Sequence, residues 1–415
     1  MSKAKEQSSL LNDDPKLEAF YGVPKEVQFC TRCVISNQRP SSVVERKNKG
    51  EKNKEDFIFF DEEGVCSACR YHDLKHNVID WEEREENLID LCNRFRSKEG
   101  NYDCIVPGSG GKDSAFTSHI LKAKYNMNPL TVTWAPHKYT QIGHLNFENW
   151  CHSGFNNIVF TPNGELHRLL TKNAFINLCH PFQPFIIGQR QIGPQLASKF
   201  KIPLIFYGEN GAEYGNPIEQ GSDSQMMTKF YTGDPKEDLI IGGESLEKTI
   251  KDGDFHTSDT LPYKPISEEE ALNLGIEVHY LSYYLKWDPQ ENYYYAVENT
   301  GFQPNERRTE GSFSKYSSID DKIDPLHYYT TLAKFGLGRS SYDAAQEIRC
   351  GKLDREEGVM LVNKFDNEFP SLFLQEMLEY MDITEDIFTE VIDNARSPHL
   401  WKFQDDKWVL RNILE

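Results

Sequence analysis

DCIVPGSGGKDS, residues 103–114, opens with a short β-branched run, passes through closely spaced glycines and ends in Lys-Asp-Ser. DCIVP (103–107) has the composition of a buried strand. Beyond Ser114, the residues Ala115, Phe116, Ile120 and Ala123 fall on one face at helical spacing. A loop at such a junction holds its backbone N–H groups at a helix N-terminus, where anions bind. Spacing excludes two familiar phosphate loops. A Walker A loop needs Gly five residues before the Gly of Gly111-Lys112, where Val106 stands, and Asp113 replaces the Ser or Thr that should follow the lysine. The dinucleotide fingerprint fails too, because Asp113 takes the place of its last Gly.

Outward from this loop, LTVTW (130–134), NIVF (157–160) and PLIFY (203–207) are further short apolar runs, separated by room for helices. That alternation predicts a parallel, doubly wound α/β sheet. The third interval holds two helical stretches, 165–179 and 191–200, and a further strand is expected within IEVHYLSYYL (276–285). The remainder reads as helical, including FPSLFLQEMLEYM (369–381) and a segment opened by Thr384 with Glu385 and Asp386 in its first turn. Four regions are expected: a mobile tail (1–25), a cysteine module (26–80), the sheet domain (81–310) and a helical C-terminal region (311–415). Within the third, residues 211–265 are Gly-rich and poor in periodicity, which suggests a substrate lid. ERKNKGEKNKED (45–56) reads as a solvated loop.

The chain has 415 residues, 38% of them hydrophobic, which is globular in character. There is no apolar run long enough to span a bilayer and no N-terminal apolar segment after Met1-Ser2-Lys3, so a cytoplasmic location without membrane insertion is expected. A net charge of −19 argues against nucleic acid as a partner.

FCTRC (29–33) and VCSAC (65–69) form two C-x₂-C pairs. Cys30, Cys33, Cys66 and Cys69 together make a tetrahedral thiolate set suited to structural Zn²⁺, with an iron–sulfur cluster or a redox pair as alternatives. The spacer exceeds the common ~15–20 residues, and the charged loop 45–56 accounts for the excess. Cys92, Cys104, Cys151, Cys179 and Cys350 are isolated and read as small hydrophobes. None has a G-x-C-x-G setting for hydrolysing glutamine.

SGGKDS (109–114) resembles the PP-loop of the ATP pyrophosphatases, which cleave ATP between its α and β phosphates. The resemblance implies that Gly110 and Gly111 let the backbone approach the phosphates, Ser109 and Ser114 donate hydroxyls, Lys112 supplies charge and Asp113 helps hold Mg²⁺. It also implies a nucleotide lying across the strand ends, with Thr133 and Trp134 beside adenine and ribose. Gly208, Glu209 and Asn210 would then face the phosphates or the activated substrate. Core packing is the alternative for Trp134.

CTRCVISNQRPSS, GVCSACRYHDLK, IDWEERE, VPGSGGKDS, VTWAPHKYT, YGENGAEYG, RTEGSFSKYSSIDDKID, HYYTTLAKFGLGRSSYDAAQEIR and REEGV together resemble the N-acetyl sugar amidotransferase family of lipopolysaccharide and flagellin-glycan pathways. The resemblance implies an α/β PP-loop domain with an N-terminal zinc-ribbon-like module. It also implies an enzyme that uses ATP and ammonia to convert a sugar N-acetyl group into an acetamidino group. Lys112 would balance the departing pyrophosphate, Asp113 or Glu209 would hold Mg²⁺, and Lys315, Lys334 and Arg339 would be further cations for pyrophosphate or a sugar nucleotide, with a solvated surface charge as the alternative for each of these three. Glu213 has two readings, orienting ammonia or the sugar, or forming a surface salt bridge. Ammonia would come from a partner glutaminase, with glutaminase and cyclase-like subunits resembling imidazole glycerol phosphate synthase. The rival readings are a tRNA-thiolating PP-loop enzyme and a non-catalytic adenine-nucleotide sensor.

Overall fold

The computed structural model describes residues 1–41, 57–216 and 223–415. The charged stretch 45–56 and residues 217–222 of the expected lid lie outside the described residues. The runs read as strands form β1 (Cys104–Pro107), β2 (Pro129–Trp134), β3 (Asn157–Phe160) and β4 (Leu204–Tyr207). A small hairpin of β5 (Ile240–Ile241) and β6 (Glu244–Ser245) follows, and β7 (Glu277–Tyr280) completes a five-stranded parallel sheet of order β3-β2-β1-β4-β7.

Side-chain alternation assigns the two faces. Ile105, Ile205 and Val278 enter one core with the helices Gly164–Leu178 and Gln183–Phe200. Cys104, Val106, Leu204 and Phe206 enter the other, with the helices Trp81–Phe95 and Lys112–Ala123. Covered on both faces, these strands need apolar residues at successive positions, which is why they read as near-continuous runs. The helix after the loop departs from its expected face: its buried stripe includes Ala115, Ser118 and Leu121, while Phe116 sits half-buried against Tyr295 and Ala123 is exposed.

Strand order reverses between β1 and β4, because the chain first moves to β2 and β3 and then returns to the other side of β1. The crevice above the strand ends at such a reversal is where open α/β sheets bind ligands. The Ser109–Ser114 loop leaves β1 at that point.

The segments around the sheet are anchored to it or to the C-terminal region. Residues 1–25 are tied to the C-terminal region at several points. Ala4 is buried with Leu332, Leu400 and Trp401, the Tyr21 hydroxyl donates to the Ala395 carbonyl at 2.8 Å, and Val23 packs with Phe57 and Leu337. These anchors are too widely spaced to give a periodic pattern. Residues 223–265 pack against the first sheet face. Met226, Tyr231, Ile241, Leu246 and Tyr263 join the core of the first sheet face, and Gln195 Nε2 donates to the Leu261 and Lys264 carbonyls at 2.9 and 2.6 Å. The cysteine module shares its core with Ala344, Ala345 and Val362 of two C-terminal helices, Arg339–Arg349 and Arg355–Phe365. The C-terminal region is helical from Asp324 to Ala395 and ends in a hairpin, β8 (Trp401–Gln404) with β9 (Lys407–Leu410).

Candidate active site and metal centre

Gly110 has φ +85°, and a Cβ there would lie 2.8 Å from the Phe147 Cα, so the loop requires glycine on two counts. Gly111 N-caps the Lys112–Ala123 helix without a side-chain cap, leaving the first-turn N–H groups with no partner from the cap residue. Ser109, Gly110, Gly111, Lys112 and Asp113 line a cavity of about 640 Å³. Lys112 pairs with Asp113, whose Oδ1 accepts from Asn292 Nδ2 at 3.2 Å. Ser114 is turned to the backbone, its hydroxyl donating to the Gly111 carbonyl at 3.0 Å.

The end of β4 brings Glu209 into the same cavity. Burial and the neighbouring Asp113 charge push its carboxyl up to about 7, although Lys112 and the Tyr214 hydroxyl, which donates to Oε1 at 2.9 Å, act in the opposite direction. Gly208 lets the chain pass close to the loop helix, since a Cβ would meet Thr117 Oγ1 at 3.3 Å. Asn210 is committed to the fold: it is buried, and its Oδ1 accepts from the Ala212 N–H at 2.8 Å. Glu213 is neither in the cavity lining nor at the surface, but in a buried ion pair with Lys75.

The far wall comes from the C-terminal region. The segment around Asp320 is seated by the start of the helix Gln141–His152, where a Cβ on Gly143 would lie 2.4 Å from the Asp320 Cα and the N–H of the N-cap Thr140 donates to the Asp320 carbonyl at 3.1 Å. The Asp320 side chain hydrogen-bonds Ser109, while burial raises its carboxyl. Arg339 Nε lies 2.9 Å from Asp343 Oδ1, and the guanidinium also bonds the Tyr328 hydroxyl. His327 is 8% exposed, and burial holds its imidazole down to about 3, hence neutral. Its Nδ1 has no hydrogen-bond partner among the described residues.

The cavity thus unites Ser109, Gly110, Gly111, Lys112, Asp113, Glu209 and Arg339. Other expected residues lie elsewhere. Thr133 and Trp134 are interior, Thr133 Oγ1 accepting from Asn157 Nδ2 at 3.0 Å and Trp134 packing on Phe160 and Tyr263. Lys315 is exposed and outside the lining, and Lys334 is buried on the Asp324–Phe335 helix, also outside it. Arg190, Asp320 and His327 line the cavity without having been anticipated. Asp320 and His327 lay in stretches already conspicuous in the sequence, whereas Arg190 falls just before the helix expected from residue 191. A second cavity of about 650 Å³, lined by Leu332, Val362, Trp401 and Leu410 among others, contains none of the loop residues and lacks comparable chemistry.

The four expected thiols come together, each cysteine buried and all four sulfurs within 4.8 Å of one another. Cys30 Sγ lies 3.9 Å from Cys69 Sγ, and Cys33 Sγ lies 3.7 Å from Cys66 Sγ. Tetrahedral ligands at ~2.3 Å from zinc stand ~3.8 Å apart, so the set fits. The backbone N–H groups of Arg32 and Cys66 each donate to Cys30 Sγ at 3.4 Å, as partners of a thiolate would. This centre could hold a zinc ion and leaves no protein ligand position open. Cys92, Cys104 and Cys179 are buried, in accord with their reading as small hydrophobes, while Cys151 and Cys350 are partly exposed.

Residues 310–414 match the family model described as LPS biosynthesis protein WbpG-like, C-terminal domain. The part of the chain that forms the far wall and shares the cysteine module's core is therefore similar to a domain of lipopolysaccharide biosynthesis proteins. The chain is also similar to the uncharacterized protein MJ1599 of Methanocaldococcus jannaschii, 31% identical over 75 residues. That similarity covers 18% of this chain and 26% of the relative, so the chain spans about a quarter of the length of the curated relative it matches. Among the described residues no helix is long and apolar enough to cross a membrane.

Proposed function

We propose that the protein is an ATP-dependent amidotransferase that converts the N-acetyl group of a surface-glycan sugar into an acetamidino group. One observation carries this reading: the SGGKDS loop, at the strand-order reversal, faces across a single cavity to a wall built by the segment similar to lipopolysaccharide biosynthesis proteins.

An amide carbon resists ammonia because its nitrogen donates into the carbonyl. In the proposed reaction the acetamide oxygen attacks the α-phosphorus of ATP, the bond to the β-phosphate oxygen breaks and pyrophosphate departs. Ammonia then adds to the activated carbon, a proton is lost and AMP leaves with the former acetamide oxygen, giving the amidine. The chain's contribution is positioning and charge. The N–H groups at the start of the Lys112–Ala123 helix and the Lys112 ammonium hold the phosphates, and Asp113 and Glu209 are the carboxylates available for Mg²⁺. That ion, when bound, would neutralise charge on the phosphate oxygens. The separate ammonia source, a partner glutaminase, and the cytoplasmic location belong to the same proposal.

The test is product analysis with ATP, ammonium and a panel of N-acetylated sugars and sugar nucleotides, using ¹⁸O-labelled acetamide. Label arriving in AMP, with NH replacing O in the sugar, supports the reading; AMP without label rejects it. Lys112→Ala should lower turnover by roughly 10²–10³-fold with the cysteine metal retained, and near-normal turnover would remove Lys112 from its assigned place.

A further inference from the structure

Most cations described at or near the cavity already have an acidic partner: Lys112 has Asp113, Arg339 has Asp343 and Lys75 has Glu213. Arg190 does not. It lies on the Gln183–Phe200 helix and lines the cavity, its Nη1 is sealed from solvent, and that nitrogen has no hydrogen-bond partner among the described residues.

Its placement follows from two glycines of the same helix. A Cβ on Gly188 would lie 2.3 Å from the Trp134 ring at the end of β2. A Cβ on Gly193 would lie 3.1 Å from Pro107 at the end of β1 and 3.5 Å from the Tyr207 hydroxyl at the end of β4. Between these close approaches, Arg190 stands at the carboxyl ends of the three strands that flank the reversal. Its helix covers one face of the sheet, whereas the helix that begins with Lys112 covers the other. The titratable groups acting on Arg190 are Tyr207 and Tyr280, whose phenols burial holds up at about 12 and which are therefore neutral.

Arg190 is only half-buried, but a guanidinium with one nitrogen shut off from water and no counter-charge still weakens the fold. Its planar fork matches phosphate oxygens, and a bound oxyanion would offset the cost. We propose that Arg190 is a phosphate-binding residue, gripping a phosphoryl oxygen of the bound nucleotide from the side of the crevice opposite Lys112. The assignment of nucleotide as the ligand rests on the proposed function; the need for an oxyanion rests on Arg190 alone.

The experiment compares full-length wild type, Arg190→Met and Arg190→Lys by thermal denaturation and calorimetric titration with ATP, adenosine and inorganic pyrophosphate. Arg190→Met should be at least as heat-stable as wild type without ligand. It should bind ATP and pyrophosphate about tenfold or more weakly and adenosine unchanged, and Arg190→Lys should recover part of the loss. A variant that loses ligand-free stability, or that binds ATP within about twofold of wild type, overturns the assignment. If wild type binds pyrophosphate but not ATP, the nucleotide reading fails and Arg190 is judged on pyrophosphate: loss in Arg190→Met supports it, and equal binding overturns it. Wild type binding neither anion overturns both.

Discussion

Lys75 Nζ lies 2.9 Å from Glu213 Oε1, with side chains 1% and 6% exposed, and the same ammonium donates to the Trp287 carbonyl. The pair fastens the Ser67–Asn77 helix of the cysteine module to the turn after β4, one residue before Tyr214, which in turn orients Glu209. Lys75→Met strands the carboxylate in the interior and should cost about 3–5 kcal/mol, read as a lower urea midpoint. Replacing both partners with apolar residues should recover much of that loss. A single variant of unchanged stability would show that the pair contributes little.

Glu209 makes stability depend on pH with a definite sign. Its carboxyl is raised from 4.5 to about 7, so its stabilising contribution is complete below pH 4.5 and is lost as pH rises through about 7. Without divalent cations, wild type should lose stability across that window relative to Glu209→Gln, which cannot titrate. Parallel profiles would remove Glu209 as the source.

Elemental analysis should find one zinc per chain, and Cys33→Ser or Cys69→Ser should lose it. Because the module shares its core with the C-terminal helices, the loss in stability should be roughly 3 kcal/mol or more but well below the ~10–16 kcal/mol of isolated zinc fingers. Denaturation midpoints that ignore chelation would rule out a structural metal.

Gly110→Ala and Gly100→Ala separate two penalties. Both glycines have positive φ, +85° and +78°, but only Gly110 has backbone within 4 Å of where a Cβ would sit. Gly100→Ala should cost about 1–2 kcal/mol for its left-handed conformation. Gly110→Ala should cost more and weaken ATP binding about tenfold or further, because the loop must move off Phe147. Equal effects would show that the Phe147 contact is readily relieved.

The sheet was legible because its central strands are buried on both faces and so spell short apolar runs, from Cys104 to Val106 and from Leu204 to Phe206. The strand–loop–helix junction and the four thiols were legible because their geometry is local, each pair of cysteines lying within one turn. Long-range placement was not. Trp134 ends a strand at the site, yet it is drawn beneath Gly188 into the core. Lys315 and Lys334 carry the expected charge, but no local pattern indicates which side of a helix or loop will face a cavity made by residues 200 positions away. Arg190 was missed because a helix was expected only from residue 191, whereas the helix begins at Gln183, with Pro184 in its first turn.

The cysteine module's core is completed by Ala344 and Ala345, which lie about 275 residues after Cys69. At ~5–20 residues per second, a ribosome needs roughly a quarter of a minute to a minute to reach them. Throughout that interval the four thiols of a nascent chain lack their helical cover, so early capture of a metal ion is what would keep them from oxidation until the far end arrives.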